Sequence, residues 1–117
     1  MKVDVPTLRA AWWTFRASRK VRSELEVRRL DEISVEPPPR LPDSAVRGVA
    51  AILRRTTPTC LVQALVLQTW HRAHGRNRDV IIGVTKPSEG FRAHAWLDGD
   101  PPCHDEGFAE LTRRAPA

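Results

Sequence analysis

A run of prolines near position 40 is the strongest constraint on how this chain can fold. Prolines occupy four of the six positions from 37 to 42. Consecutive prolines exclude a helix interior and favour an extended polyproline connection, because the ring removes the backbone N–H and clashes within a helix. We therefore expect a basic helical segment and its proline-rich linker over residues 1–42, and a core over residues 43–117, within one compact domain.

The residues before the prolines show helical spacing. Pro6 suits the first turn of a helix, with Asp4 or Val5 near the cap. Apolar side chains then recur on one face of that helix, at Val5, Leu8, Trp12 and Phe15. The pattern continues more loosely, which predicts one bent helix or two short ones over residues 6–33.

The net charge of the chain, +5, belongs to this N-terminal part. Residues 1–30 hold eight basic and three acidic residues, whereas residues 31–117 hold eleven of each. The local surplus suggests an acidic partner for the segment more than a nucleic-acid-binding domain. A helix face that is simply solvated is the plainer interpretation.

Three further patterns predict helices and then strands. Asp43 or Ser44 can cap a helix ending near residues 54–55, and Thr59 can cap a central helix from 60 to about 74, closed by Gly75. The β-branched run 80–85 and residues 91–98 read as strands, and the segment after Gly99 as a third. Residues 107–114 are predicted to form a last short helix. Helices followed by an antiparallel sheet indicate an α+β fold.

Composition excludes several classes of protein. With 41% hydrophobic and 28% charged residues, the chain resembles folded globular proteins rather than disordered ones. It contains no apolar run of the roughly 18 residues that span a bilayer, so we expect no stable membrane insertion. The N-terminus lacks a secretory pattern, so we expect a cytoplasmic protein, in which the two cysteines form no structural disulfide.

Cys60 occupies a recognisable chemical environment, the N-terminus of a buried helix. The helix dipole and the free amide groups there favour the thiolate, and a neighbouring imidazole favours it further. The alternative is that Cys60 is a small buried hydrophobic residue. A suitable histidine partner decides between the two.

Among the histidines, His94 is the best candidate base. His71 and His74 lie at the far end of the Cys60 helix, about 16–21 Å away at 1.5 Å per residue. They suit the helix C-terminus instead. His94 lies within the apolar strand of residues 91–97, where an imidazole needs a polar partner.

A hairpin supplies the third member of a triad. If Gly99 and Asp100 are the central turn residues, His94 lies opposite Asp105, with Cβ atoms about 5 Å apart. Such a carboxylate can accept the Nδ1–H of His94 and leave Nε2 for the thiol. Asp98 and Asp100 are the alternatives to Asp105, and both read as solvated turn residues.

Neither a metal site nor a cofactor is expected. Cys103 reads as a structural or incidental thiol, since nothing near it favours a thiolate. A zinc site would mix Cys60, His94, Cys103, His104 and Asp105, but the close ligand pairs typical of zinc are missing.

These residues together resemble a known family. The segments 59–68 (TCLVQALVLQ), 82–84 (IGV) and 91–97 (FRAHAWL), with Asp105 beyond a glycine turn, look like the lasso-peptide leader peptidase. That family is the cysteine-protease member of the transglutaminase-like superfamily and is often the protease half of a split B protein. The resemblance covers residues 44–106, and its Cys, His and Asp match Cys60, His94 and Asp105. The turn here is one residue shorter than in the family pattern.

The resemblance implies a fold and an activity. The fold would place a central Cys-bearing helix on a small antiparallel sheet, as in the transglutaminase and papain-like core. The activity would be removal of the leader from a ribosomally made precursor, with a separate leader-recognition protein and an asparagine-synthetase-like cyclase as partners. The helix carrying Trp12, Trp13 and Phe15 would then be a docking surface, unless these side chains cover the protein's own core.

Two other classes of function remain open at this point. One is a catalytically weak scaffold that binds the peptide and the cyclase with the same fold. The other is an adaptor whose residues 1–30 bind a membrane surface or a nucleic acid through Trp12, Trp13 and Phe15.

Overall fold

The computed structural model describes residues 4–84, 93–99 and 109–116. It begins with a long helix, α1 (Val5–Leu25). The Asp4 carboxylate accepts a hydrogen bond of 2.9 Å from the Thr7 N–H, and this cap starts the helix where the sequence predicts it.

α1 ends before residue 33, the limit suggested by the spacing, and only a short 3₁₀ helix (Leu30–Glu32) follows it. No side chain between Val21 and Ile33 is buried. Further helical turns would therefore gain no packing, and tertiary packing supplies most of the stability of a helix in a protein.

The inward face of α1 differs from its most apolar face. Its buried residues are Ala10, Trp13, Thr14, Ala17, Ser18 and Val21. Val5, Leu8 and Trp12 are instead 67%, 57% and 62% exposed. The interpretation that Trp12, Trp13 and Phe15 cover the core is thus right for Trp13 and wrong for Trp12, while Phe15 is half-buried. Small side chains dominate the buried face, which lets α1 lie close against α2 (Val46–Thr56).

Gly48 marks the closest approach of α1 and α2. A Cβ atom at this position would clash with the carbonyl oxygen of Thr7 and lie 3.0 Å from the backbone nitrogen of Ala11. Both neighbours are backbone atoms, which cannot rotate out of the way. Gly48 therefore sets the spacing of the two helices.

We expect Gly48→Ala to lower the free energy of unfolding by about 1–3 kcal/mol, the usual cost of overpacking. Urea unfolding followed by circular dichroism measures this. The sign is diagnostic, because glycine to alanine within a helix otherwise stabilises by up to about 1 kcal/mol. A gain in stability would show that the helices do not meet at Gly48.

The proline-rich segment runs between two side-chain anchors. Residues 33–42 form neither helix nor strand. Near one end, Trp13 donates its indole N–H to the carbonyl oxygen of Glu36 at 3.0 Å. Near the other, His74 Nε2 lies 2.9 Å from the carbonyl oxygen of Leu41. The segment is thus attached both to α1 and to the end of the central helix.

That central helix, α3 (Cys60–Ala73), has the bounds that the sequence predicts. Thr59 caps its start, and Gly75, at φ 79°, follows its end in a left-handed conformation. A 3₁₀ turn (Asp43–Ala45) precedes α2. α3 thus starts at its predicted cap. The predicted cap of α2 by Asp43 or Ser44 is wrong, because the residue before α2 is Ala45, which makes no side-chain cap hydrogen bond, and Asp43 and Ser44 lie within the 3₁₀ turn.

The three described strands are β1 (Val80–Val84), β2 (Ala93–Leu97) and β3 (Ala109–Arg114). They form an antiparallel sheet in the order β2-β1-β3. The pairing of β1 with β3 shifts between Ile82 and Gly83. The sheet packs against α3, chiefly through β2.

The prediction of a helix over residues 107–114 is wrong, since 109–114 form β3. Pairing with β1 satisfies the backbone groups of this segment, and such non-local pairing outweighs the weak helical preference of its residues. The expected strand directly after Gly99 lies at residues 100–108, outside the part of the chain that the structure describes. The strand observed beside β2 is β1.

Gln68 of α3 connects the helix to the sheet. This side chain is 1% exposed, and its Nε2 donates to the carbonyl oxygens of Arg78 and Arg114, each at 2.9 Å. Its Oε1 accepts from the Arg114 guanidinium at 2.8 Å, and the same guanidinium donates to the Ile33 carbonyl at 2.6 Å. Burial lowers the pKa of Arg114 below its ordinary value. One amide side chain thus bridges two backbone carbonyls and the Arg114 guanidinium, and so connects α3 to β3.

We expect Gln68→Leu to lower the free energy of unfolding by about 3 kcal/mol, because it leaves a guanidinium and two carbonyls without these hydrogen bonds. Thr69→Val is the matched control. Among the residues that the structure describes, the Thr69 hydroxyl bonds only to the Leu65 carbonyl of its own helix. Urea unfolding of both variants measures the difference, and equal losses would contradict this role for Gln68.

The hydrophobic core joins α1, α2 and α3 to β1 and β2. Its central side chains, Leu65, Val66 and Trp70 of α3, are fully buried and share one cluster with Val80 and Leu97 of the sheet. The architecture is α+β, with a Cys-bearing helix packed on a small antiparallel sheet. This confirms the predicted fold class. None of the helices in the described ranges is both long enough and apolar enough to cross a bilayer.

Candidate functional site

The N-terminus of α3 is held rigidly by the residues that precede it. The Thr59 hydroxyl accepts a hydrogen bond of 3.4 Å from the Val62 N–H, and the Gln63 side chain donates to the Pro58 carbonyl at 2.8 Å. Thr57 adopts a left-handed conformation, φ 41°, which is costly for a β-branched residue. The chain between α2 and α3 is therefore fixed on both sides of the turn that leads to Cys60.

Cys60 is the first residue of α3. Its thiol is free and half-buried, at the border of the hydrophobic core. Within the described ranges, the backbone N–H groups of Cys60 and Leu61 donate no hydrogen bond. Free N–H groups in the first turn of a helix favour negative charge beside them. The same N–H groups are placed to stabilise an oxyanion that forms in a reaction at the Cys60 thiol.

His94 lies in the middle of β2, opposite Gly83 of β1. Its ring stacks on Trp96, with centroids 5.8 Å apart and planes inclined by 21°. The ring is half-exposed, although its Nε2 atom is buried. Because Gly83 has no side chain, the cross-strand position leaves room for the imidazole.

The pleat of β2 determines which way His94 faces. Ala95 and Leu97 belong to the core cluster that the sheet shares with α3. Successive side chains of a strand point to opposite faces, so His94 and Trp96 occupy the other face. The structure thus packs the Cys60 helix on the His94 strand. To reach the Cys60 thiol, the His94 imidazole would have to pass around β2, which is an edge strand of the described sheet.

The third predicted member, Asp105, lies outside the described residues, as do Asp100, Cys103 and His104. Asp98, one of the alternatives, is exposed and lies 3.7 Å from the Arg113 guanidinium, while its carbonyl accepts from Arg78 at 2.8 Å. Asp98 thus lies in the turn that follows β2, and its contacts are with arginines.

The two histidines at the far end of α3 have structural contacts there. His71 accepts a hydrogen bond of 2.8 Å from Arg76 and lies 3.4 Å from Arg78. The His74 ring lies against the Trp70 ring, with centroids 4.4 Å apart and planes inclined by 33°. Both lie at the opposite end of α3 from Cys60, as the sequence predicts. Across the described ranges, no three His, Cys, Asp or Glu side chains are grouped as a metal site requires.

A second feature is a groove that runs along α1. It has a volume of about 1000 Å³ and lies between α1 and residues 35–39. The sequence signals the basic and aromatic residues of α1, but it does not reveal that the proline segment forms the opposite wall.

Comparison with known families and proteins adds one finding. The profile of the transglutaminase-like superfamily matches residues 1–114, which is nearly the whole chain. No curated protein and no solved structure shows significant similarity to the chain. The match includes α1 as well as the Cys-bearing helix and the sheet. On this evidence of near-complete coverage, the chain belongs to the transglutaminase-like superfamily.

Proposed function

We propose that this protein is a cysteine peptidase that removes the leader from a ribosomally made lasso-peptide precursor. Transglutaminase-like domains generally carry cysteine protease or acyltransferase activity. The observation that carries the choice of a thiol mechanism is Cys60 at the start of α3, where the N–H groups of Cys60 and Leu61 donate to no described residue.

In the proposed acylation step, His94 takes the proton of the Cys60 thiol, and the Cys60 sulfur attacks the scissile carbonyl carbon. The carbonyl oxygen becomes an oxyanion that the N–H groups of Cys60 and Leu61 stabilise. The C–N bond then breaks, and His94 gives its proton to the departing amine. The leader remains bound to Cys60 as a thioester, and the core peptide leaves with a free N-terminus.

Hydrolysis of the thioester completes the cycle. His94 takes a proton from a water molecule, whose oxygen attacks the thioester carbon. The C–S bond breaks, which releases the leader as a carboxylate and restores the Cys60–His94 pair. Asp105 is proposed to accept the Nδ1–H of His94 and to orient the ring.

The resemblance of residues 44–106 to the lasso-peptide leader peptidase supports the choice of substrate. In this proposal, a separate recognition protein binds the leader and delivers it. An asparagine-synthetase-like cyclase then joins the new N-terminus of the core peptide to an acidic side chain. The proposal places the protein in the cytoplasm, where such precursors are made.

A direct test mixes the purified protein with a precursor peptide and its leader-recognition protein in water enriched in heavy oxygen. Mass spectrometry should find two fragments whose masses together exceed the precursor by one water, with the heavy oxygen on the leader. Transfer of the leader to an added amine, without hydrolysis, would instead assign the protein to acyl transfer.

A catalytically weak scaffold of the same biosynthetic complex is the second candidate function. The pleat of β2 favours it, since His94 shares a face with Trp96 and not with Ala95, which packs on α3. The rate at which iodoacetamide alkylates Cys60 distinguishes the two. If Cys60 and His94 form a catalytic pair, His94→Ala should slow the alkylation of Cys60 at neutral pH. If the protein is a scaffold, the alkylation rate should be unchanged, and the protein should bind the precursor without cleaving it.

A further inference from the structure

The groove along α1 has an apolar floor that the fold leaves open to solvent. Val5, Leu8, Trp12 and Phe15 follow one another along a single stripe of the helix. Trp12 and Phe15 stack with their ring centroids 6.1 Å apart, although Trp12 is 62% exposed. Contiguous exposed apolar surface of this kind is typical of interaction sites. The inward residues of α1 already fill its contact with α2, so the stripe adds nothing to the core.

Positive charge surrounds this floor. Four basic side chains line the groove: Arg9, Arg16, Arg19 and Lys20. Arg19 lies over the Phe15 ring, with its guanidinium carbon 5.6 Å from the centroid. Throughout the described ranges, no ion pair neutralises any of the four, and Glu36 is the one acidic residue among the groove-lining residues. The groove therefore has an unbalanced positive potential.

The opposite wall is the proline segment. The Trp13 indole holds it in place through the hydrogen bond to the Glu36 carbonyl. Pro37, Pro38 and Pro39 have no N–H groups, so this wall presents apolar rings and hydrogen-bond acceptors. A helix on one side and an extended segment on the other leave a channel of the kind that accepts a single peptide segment.

We propose that this groove binds an acidic peptide segment, whose apolar side chains pack on Trp12 and Phe15 while its carboxylates pair with Arg9, Arg16 and Lys20. Charge complementarity selects this occupant. A second copy of the chain would bring the same four cations into contact with each other. None of the groove residues belongs to the proposed triad, so this binding is independent of the proposed peptidase activity.

Fluorescence anisotropy with labelled synthetic peptides tests the proposal. The probes are short, end-capped peptides that combine glutamate with leucine and phenylalanine at varied spacings, each paired with a counterpart in which glutamine replaces glutamate. We expect glutamate peptides to bind more tightly than their glutamine counterparts, by a margin that shrinks as salt is added. Trp12→Ala should weaken binding by about thirtyfold, as for a central tryptophan of an interface.

Two charge-reversed variants give a matched comparison. The double variant Arg16→Glu, Lys20→Glu changes the groove, whereas Arg54→Glu, Arg55→Glu changes the net charge equally at the exposed end of α2. The first should weaken binding by about tenfold or more at low salt, and the second should have little effect.

Several results would overturn the proposal. Equal binding of glutamate and glutamine peptides throughout the set is one, and equal losses in the two double variants is another. Binding of phosphatidylglycerol vesicles, or dimerisation through the stripe, in place of peptide binding would assign the groove to a different occupant.

Discussion

Replacing Cys60 with alanine is expected to lower the rate of leader cleavage by at least about 10⁴-fold, as loss of a nucleophile does in proteases that act through a triad. The thiol is half-buried at the start of α3, so alanine removes one polarisable atom and leaves the Thr59 cap intact. Circular dichroism should therefore show an unchanged fold. Mass spectrometry of the precursor at successive times gives the rate.

Cys103→Ala is the control for this prediction, because nothing in the sequence near Cys103 favours a thiolate. It should retain most of the activity. If Cys60→Ala remained active and Cys103→Ala did not, the nucleophile would be Cys103, and the assignment of α3 as the catalytic helix would be wrong.

Asp105→Asn is expected to slow cleavage sharply while the fold is preserved. An asparagine can donate a hydrogen bond to His94 and so favour the wrong tautomer, which costs about 10⁴-fold in serine proteases. The loss here should be smaller than that, since a cysteine thiolate can persist without the carboxylate. Cleavage rates at several pH values measure it.

Asp98→Asn and Asp100→Asn are the comparisons for Asp105. Asp98 lies in an exposed ion pair with Arg113, and such pairs contribute about 0–1 kcal/mol, so its substitution should be mild. Near-native activity in Asp105→Asn beside a strong loss in Asp98→Asn would contradict the hairpin register from which Asp105 was chosen.

The central helix could be predicted from the sequence because its signals are local. Thr59 lies next to the residue it introduces, Gly75 follows the last turn, and the apolar residues between them repeat around the helix. Caps and glycine stops depend on backbone conformation within a few residues. The position of Cys60 at a helix N-terminus follows from the same signals.

β3 could not be predicted in this way, because what stabilises it is distant in the sequence. Arg114 of β3 meets Gln68 of α3, which is 46 positions away, and β3 pairs with β1 across a register shift. Apolar and polar residues alternate only over residues 109–112, which is too short a pattern to mark a strand. Context of this kind commonly decides whether a short segment becomes a strand.

The orientation of α1 illustrates a different limit. Helical spacing revealed a stripe of large apolar residues, but the face that α1 buries is rich in small residues such as Ala10 and Ala17. Gly48 of α2 meets the backbone of this helix at Thr7 and Ala11. A spacing pattern ranks faces by hydrophobicity, whereas helix packing also depends on how closely two backbones can approach.

For the candidate site, the sequence predicted which helix and strand carry Cys60 and His94, but not the face of the sheet on which His94 lies. Cys60 and His94 both lie on elements that pack together, as expected. The face on which His94 emerges depends on the register of β2 against β1, and a shift of one residue would reverse it. That register follows from the whole sheet rather than from the residues around His94.

The proline wall of the groove has a consequence for the entropy of folding. A proline ring holds φ near −65° even in the unfolded chain, so residues 37–39 have fewer conformations to lose when they become ordered. Few favourable contacts are therefore needed to offset the conformational entropy that the segment loses on folding. Two side-chain hydrogen bonds hold it, one from Trp13 and one from His74, and it does not pair as a strand. The wall is rigid because its prolines restrict the backbone even before the chain folds. A binding surface of this kind is already ordered before its ligand binds.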